Sequence, residues 1–140
     1  MTHKRIDNTV IARLDKGDEI LSSLIKIAES ENIKAADFTG IGATDCLTVG
    51  IFDISEGKYA QFDFDKENYE ITSLMGNISF VNKKPYIHAH INFAGKDGIV
   101  HGGHLLKGKI SLTCEIFIHI VNDSLGREFD PNIKINKFSF

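Results

Sequence analysis

The sequence predicts an α+β protein: a mostly antiparallel β-sheet of about seven strands with one main flanking helix near residues 19–31. Three observations carry that prediction. Only residues 19–28 repeat their apolar side chains at helical spacing. Most of the remaining chain alternates apolar and polar residues with the two-residue period of a strand. Short turns rich in Gly, Asp and Lys punctuate the alternating runs.

Residues 9–14 alternate as a strand. Lys16-Gly17-Asp18 then supplies a turn, with Asp18 as the helix N-cap. Behind it Ile20, Leu21, Leu24, Ile27 and Ala28 fall on one helical face, and the helix ends near Glu31-Asn32. Residues 35–39 read as a strand entering a turn at Gly40-Ile41-Gly42-Ala43, where glycine suits a positive φ. The same segment lacks the third glycine and following helix of a dinucleotide-binding loop. Strands follow at 47–52 and 59–64. Residues 69–80 form one long strand, bent or bulged at Gly76. Lys83-Lys84-Pro85 turns the chain into 86–93, and residues 95–98 make a hairpin loop.

Residues 109–121 are the longest alternating run. Ile110, Leu112, Cys114, Ile116, Ile118 and Ile120 share one face. Ser111, Thr113, Glu115, Phe117, His119 and Val121 share the other. Residues 133–140 form a terminal strand. The stretch 116–121 is apolar on both faces, so it needs cover on both. A single helix cannot cover so many strands, which points to a second subunit on the open sheet surface.

The chain of 140 residues reads as one domain over 1–140, with two prolines and no linker. Its net charge of −3, from 16 basic and 19 acidic residues, does not favour sequence-independent binding to nucleic acid. Cys46 and Cys114 lie far apart with no C-x-x-C spacing, which suits a reducing cytoplasm. Neither a signal peptide nor an 18-residue apolar span is present, so no membrane is expected.

Chemistry concentrates in Tyr86-Ile87-His88-Ala89-His90-Ile91-Asn92-Phe93 and His101-Gly102-Gly103-His104. On a strand, His88 and His90 point to one face about 7 Å apart, with Ile87, Ala89, Ile91 and Phe93 opposite. Gly102-Gly103 lets the backbone turn tightly or approach another chain closely, with His104 following at once as a third ligand. Neutral imidazoles favour zinc, with one position open. His101, an odd three residues from His104, faces the other way. Glu115 and His119 form a polar patch, and Glu115 is a possible general base. Arg127, in Gly126-Arg127-Glu128-Phe129-Asp130-Pro131, is an anion or partner contact at a sheet end.

The chain resembles the PPC domain, the plant- and prokaryote-conserved domain that accompanies AT-hooks in plant nuclear proteins. The resemblance runs through Gly17-Asp18-Glu19-Ile20-Leu21, Thr39-Gly40-Ile41-Gly42-Ala43 and Tyr69-Glu70-Ile71 through Ser79. It continues in His88-Ala89-His90, Gly102-Gly103-His104-Leu105 and Thr113-Cys114-Glu115. It implies an antiparallel sheet with a flanking helix, a homotrimer, and a DNA-binding regulatory role. It also implies a metal cluster at His88, His90 and His104. No Arg-Gly-Arg-Pro AT-hook core occurs in the chain, so DNA contact would fall to residues such as Lys83, Lys84, Lys107 and Lys109. The alternative is a metal-dependent enzyme or small-molecule sensor built on the same histidines, with no DNA binding.

Overall fold

The computed structural model describes residues 1–140. In chain order it contains β1 (Thr2–Ile6), β2 (Thr9–Asp15), α1 (Ile20–Ser30), β3 (Ala36–Asp53), β4 (Lys58–Phe64), β5 (Tyr69–Val81), β6 (Lys84–Ala94), β7 (Val100–Ile120), β8 (Gly126–Asp130) and β9 (Ile135–Ser139). The α+β class with one helix holds, on a single nine-stranded sheet. All pairings are antiparallel except the short β5–β8 contact.

The helix shows how local sequence sets an element. Glu19, rather than Asp18, is its N-cap. The Glu19 carboxylate accepts from the backbone N–H of Leu21 at 3.2 Å and Ser22 at 2.7 Å, satisfying donors the first turn leaves free. Asp18 instead accepts from the Asp15 N–H. At the other end Asn32 takes a left-handed φ of 52°. The Ile33 N–H reaches back to the Ala28 carbonyl at 2.8 Å, and Asn32 to Glu29 at 3.3 Å, a paired C-terminal closure. Ile33 is thereby buried beside Ile20, Leu24, Ile27 and Ala28, the face that covers the sheet.

Strands β3, β5, β6 and β7 pair in a closed cycle: β3 with β5, β5 with β6, β6 with β7, and β7 with β3. Phe38, Leu47, Val49, Leu74, Ala89, Ile91, Phe93 and Leu105 of these strands are buried in the one hydrophobic core, which α1 and β2 share. The two longest strands, β3 and β7, shift register repeatedly along their shared ladder.

Two expectations change at these irregularities. Gly40-Ile41-Gly42-Ala43 is not a turn; it lies inside continuous β3, and neither glycine has a positive φ. A Cβ at Gly42 would sit 2.4 Å from the Thr113 carbonyl oxygen, and one at Gly40 2.8 Å from that of Glu115. The glycines therefore allow β7 to press onto β3. On β7, Leu112 is 67% exposed while Ser111 is buried, because the β3–β7 register shifts between Gly42 and Thr44. The strict alternation expected along 109–121 breaks there.

The face opposite the core carries Ile11, Ile41, Met75 and Phe117, all exposed. Ile11 pairs with Phe117, Phe117 with Thr39, Thr39 with Met75, and Met75 with His90. This row crosses β2, β7, β3 and β5, with Thr39 as its β3 member and exposed Ile41 two residues along the same strand, and ends at the histidines. No helix is long and apolar enough to cross a membrane.

Candidate metal centre

His88, His90 and His104 are brought together by register. Along β6, Ala89, Ile91 and Phe93 are buried, which sends His88 and His90 to the outer face. His104 lies directly opposite His90 in the β6–β7 ladder, so its ring shares that face. Ring centroids are separated by 5.3 Å (His88–His90), 5.1 Å (His88–His104) and 5.3 Å (His90–His104). One ring nitrogen from each lies within 4.8 Å of the others.

Glycine makes this convergence possible. Gly102 and Gly103 do not turn the chain; both lie within β7. A Cβ on Gly102 would meet Asn92 Oδ1 at 2.1 Å and the Ile91 carbonyl oxygen at 2.7 Å. On the other side of β6, a Cβ on Gly76 would stand 2.1 Å from the His88 carbonyl oxygen and 2.6 Å from Phe38 Cζ. Bare backbone on both flanks lets β6 sit tightly between β5 and β7.

Burial tunes the rings. It pushes the His104 pKa down from 6.5 to about 4, with His88 and His90 adding to the effect. His88 is lowered first by burial, then by the Arg127 cation and His90. Both rings are therefore neutral at pH 7 and keep a lone pair for a Lewis acid. Tyr59 stacks on His104 with centroids 4.8 Å apart. His104 Nδ1 is buried with no hydrogen-bond partner, an arrangement that costs about 1–3 kcal/mol when nothing compensates it. Three nitrogens on one tetrahedral zinc stand ~3.4 Å apart. The three imidazole nitrogens are a donor set that fits a transition-metal ion.

Other candidate residues lie elsewhere. His101 faces the opposite side and packs on Phe64 and Phe93. Glu115 is opposite Arg13 on β2 and Ile41 on β3; β3 and β5 separate it from His90, so it does not reach the triad within this chain. His119 pairs with Asp37 at 3.3 Å. Lys83 is at the β5–β6 hairpin tip with φ 63°, and Lys84 follows it. Lys107 and Lys109 are exposed farther along β7, opposite Thr48 and Cys46.

Arg127 does come to the site. It lies on β8, a strand the sequence pattern does not show, paired with β9, which falls within the expected terminal strand 133–140. Its guanidinium donates from Nε to Ser79 Oγ, from Nη1 to the Asn136 carbonyl and from Nη2 to Asn77 Oδ1, each at 2.8 Å. It packs over the rings of Tyr86, 5.0 Å to the centroid, and Phe138, at 4.3 Å. Asn77 and Ser79 are the cross-strand partners of His88 and Tyr86. Sequence reasoning missed Asn77, Ser79 and Tyr59. Only their parity with the histidines across neighbouring strands could have flagged them.

The comparisons with known proteins agree with this architecture. The model of the Plants and Prokaryotes Conserved (PCC) domain matches residues 1–122. A "putative DNA-binding protein" from Bacteroides thetaiotaomicron superposes with a TM-score of 0.95 at 29% identity, covering 99% of this chain and 96% of that one. A metal-containing protein from Archaeoglobus fulgidus gives 0.87 at 29% identity, over 100% and 99% of the two chains. A plant- and prokaryote-conserved (PPC) protein from Pyrococcus horikoshii gives 0.84 at 28% identity, over 97% and 93%. No protein of curated function matches. With the family match running from β1 through β7 and across all three histidines, this chain belongs to the Plants and Prokaryotes Conserved domain family.

Proposed function

We propose that this protein is a zinc-binding member of its family, a homotrimer of regulatory rather than catalytic type. The carrying observation is the triad itself: three imidazoles on adjacent strands, with one nitrogen from each inside 4.8 Å. Zinc held by His88, His90 and His104 supplies a Lewis-acidic position open to a further ligand. The relative described as metal-containing supports a metal at this fold. Elemental analysis of purified protein tests the proposal. About one zinc per chain is expected; metal-free protein whose stability does not respond to zinc rejects it.

The trimer is supported by the exposed row Ile11, Phe117, Ile41 and Met75, apolar surface that another copy would cover. Light scattering tests it, and a monomer at micromolar concentration contradicts it. Cytoplasmic residence is supported by two unpaired cysteines.

DNA is the partner suggested by the descriptions of two relatives. Lys83, Lys84, Lys107 and Lys109 are its candidate contacts, all exposed. If they neutralise phosphates, affinity falls steeply with salt. Absence of binding at low salt rejects this part. A second reading, a small-molecule sensor or metal-dependent enzyme, is favoured by the cavity that His88 and His104 share with Arg127.

A further inference from the structure

We propose that the cavity between the histidine triad and the C-terminal hairpin binds a small organic acid, with Arg127 and Lys134 holding its carboxylate beside the metal. This rests on the zinc reading above and names the ligand class of that site. The cavity has a volume of about 170 Å³ and is lined by His88 and His104 on one side and by Arg127 and Lys134 on the other. It is smaller than the ~300–1,000 Å³ typical of sites for drug-sized ligands. At ~30 Å³ per water, it holds a molecule of a few carbons and no nucleotide.

The chemistry of the walls sets the class. Neither Arg127 nor Lys134 pairs with a carboxylate; all the ion pairs lie elsewhere. Two cations thus face one small space with no anion of the protein's own. Arg127 is also immobilised. Three of its five N–H groups are committed to Ser79, Asn136 and Asn77, and the rings of Tyr86 and Phe138 pack against it. Two N–H groups remain, one on each terminal nitrogen, free to donate to a ligand oxygen. Lys134 is held at the β8–β9 turn with φ 55°. Its side chain reaches the β3–β4 turn, where a Cβ added to Gly57 would lie only 2.7 Å from its Nζ. Tyr59, Phe129 and Ile135 complete the wall, giving a short carbon skeleton apolar contact. The hairpin lies beyond residues 1–122, the span of the family match.

The test uses cobalt(II)-loaded protein, whose visible spectrum reports ligands at the metal, titrated with lactate, with neutral lactamide and with inorganic phosphate. Lactate should give a saturable spectral change, with lactamide at least about tenfold weaker, as a charge-assisted carboxylate contact requires. Arg127→Gln should weaken lactate by about tenfold or more while cobalt uptake stays at one per chain. Lys134→Gln, at an exposed turn, should weaken it about threefold and guards against misfolding of the Arg127 variant. Equal binding of lactate and lactamide, or no response to lactate with cobalt bound, overturns the proposal and leaves the metal reading standing. Tighter phosphate than lactate overturns the organic-acid assignment. Failure to take up cobalt overturns the metal reading; calorimetric titration of lactate into the metal-free wild type and Arg127→Gln then decides the carboxylate site, with identical heats rejecting it.

Discussion

His90 and His104 are direct cross-strand partners, one on β6 and one on β7, with ring centroids 5.3 Å apart. His88, two residues before His90, completes the triangle from the same strand. The site is therefore a property of strand register, which a one-residue slip of β7 against β6 would destroy by sending His104 to the opposite face.

Removing one ring should remove the metal without removing the fold. None of the three histidines belongs to the buried core. His104→Ala is expected to reduce zinc from about one per chain to near zero while far-ultraviolet circular dichroism stays unchanged. Elemental analysis and spectra on the same sample check this. Retention of stoichiometric zinc would place the metal elsewhere.

Gly76→Ala should act on the site from behind. The new Cβ falls 2.1 Å from the His88 carbonyl oxygen, so β5 and β6 must part. Overpacking of this kind costs about 1–3 kcal/mol, measurable by urea denaturation, with zinc affinity reduced as well. Gly126→Ala, where an added Cβ meets nothing within 4 Å, is the matched control and should be close to neutral.

The metal-free protein should lose stability as pH falls from about 6.5 toward 4. His104 is held down to about 4 by burial, and His88 is lowered for the same reason. The unfolded chain takes up these protons near 6.5, before the folded chain does. Stability therefore rises with pH across this window. Thermal melts at pH 7.0 and 4.5 measure the difference, and His104→Gln should flatten it. An equal slope in the variant contradicts the assignment.

Cys114 should be chemically silent in the folded protein. It is fully buried, and desolvation, with Glu115 adding to it, pushes its thiol pKa up to about 12. Iodoacetamide at pH 8 followed by mass spectrometry should label half-buried Cys46 first and Cys114 only on unfolding. Labelling of Cys114 at the same rate would show that the β2–β7 core opens locally.

The histidine pair was legible in sequence because 86–93 alternates without interruption, so parity alone put His88 and His90 together. The α1 face was equally plain, since its apolar spacing and capping are local. Glycine caused most of the misreadings. At Gly40, Gly42, Gly102 and Gly103 it serves close strand approach, yet in sequence it signals a turn. That ambiguity split β3 in two and hid the strand character of residues 101–104. Leu112 pointed outward for a related reason, as a bulge depends on the partner strand and leaves no mark on alternation. Of the β8–β9 hairpin, β9 was legible as the terminal strand, while β8 was hidden between Gly126 and Pro131. Its arginine matters through Asn77 and Ser79, nearly 50 residues earlier in the chain, a distance local pattern does not span.

Zinc titration of metal-stripped protein, followed by bound-metal analysis and thermal melting, tests the central claim most directly. Uptake should saturate at one equivalent per chain and raise the melting temperature, and both effects should vanish when His88, His90 and His104 are all replaced by alanine. A wild-type protein that takes up no zinc, or a triple variant that binds it equally well, contradicts the account.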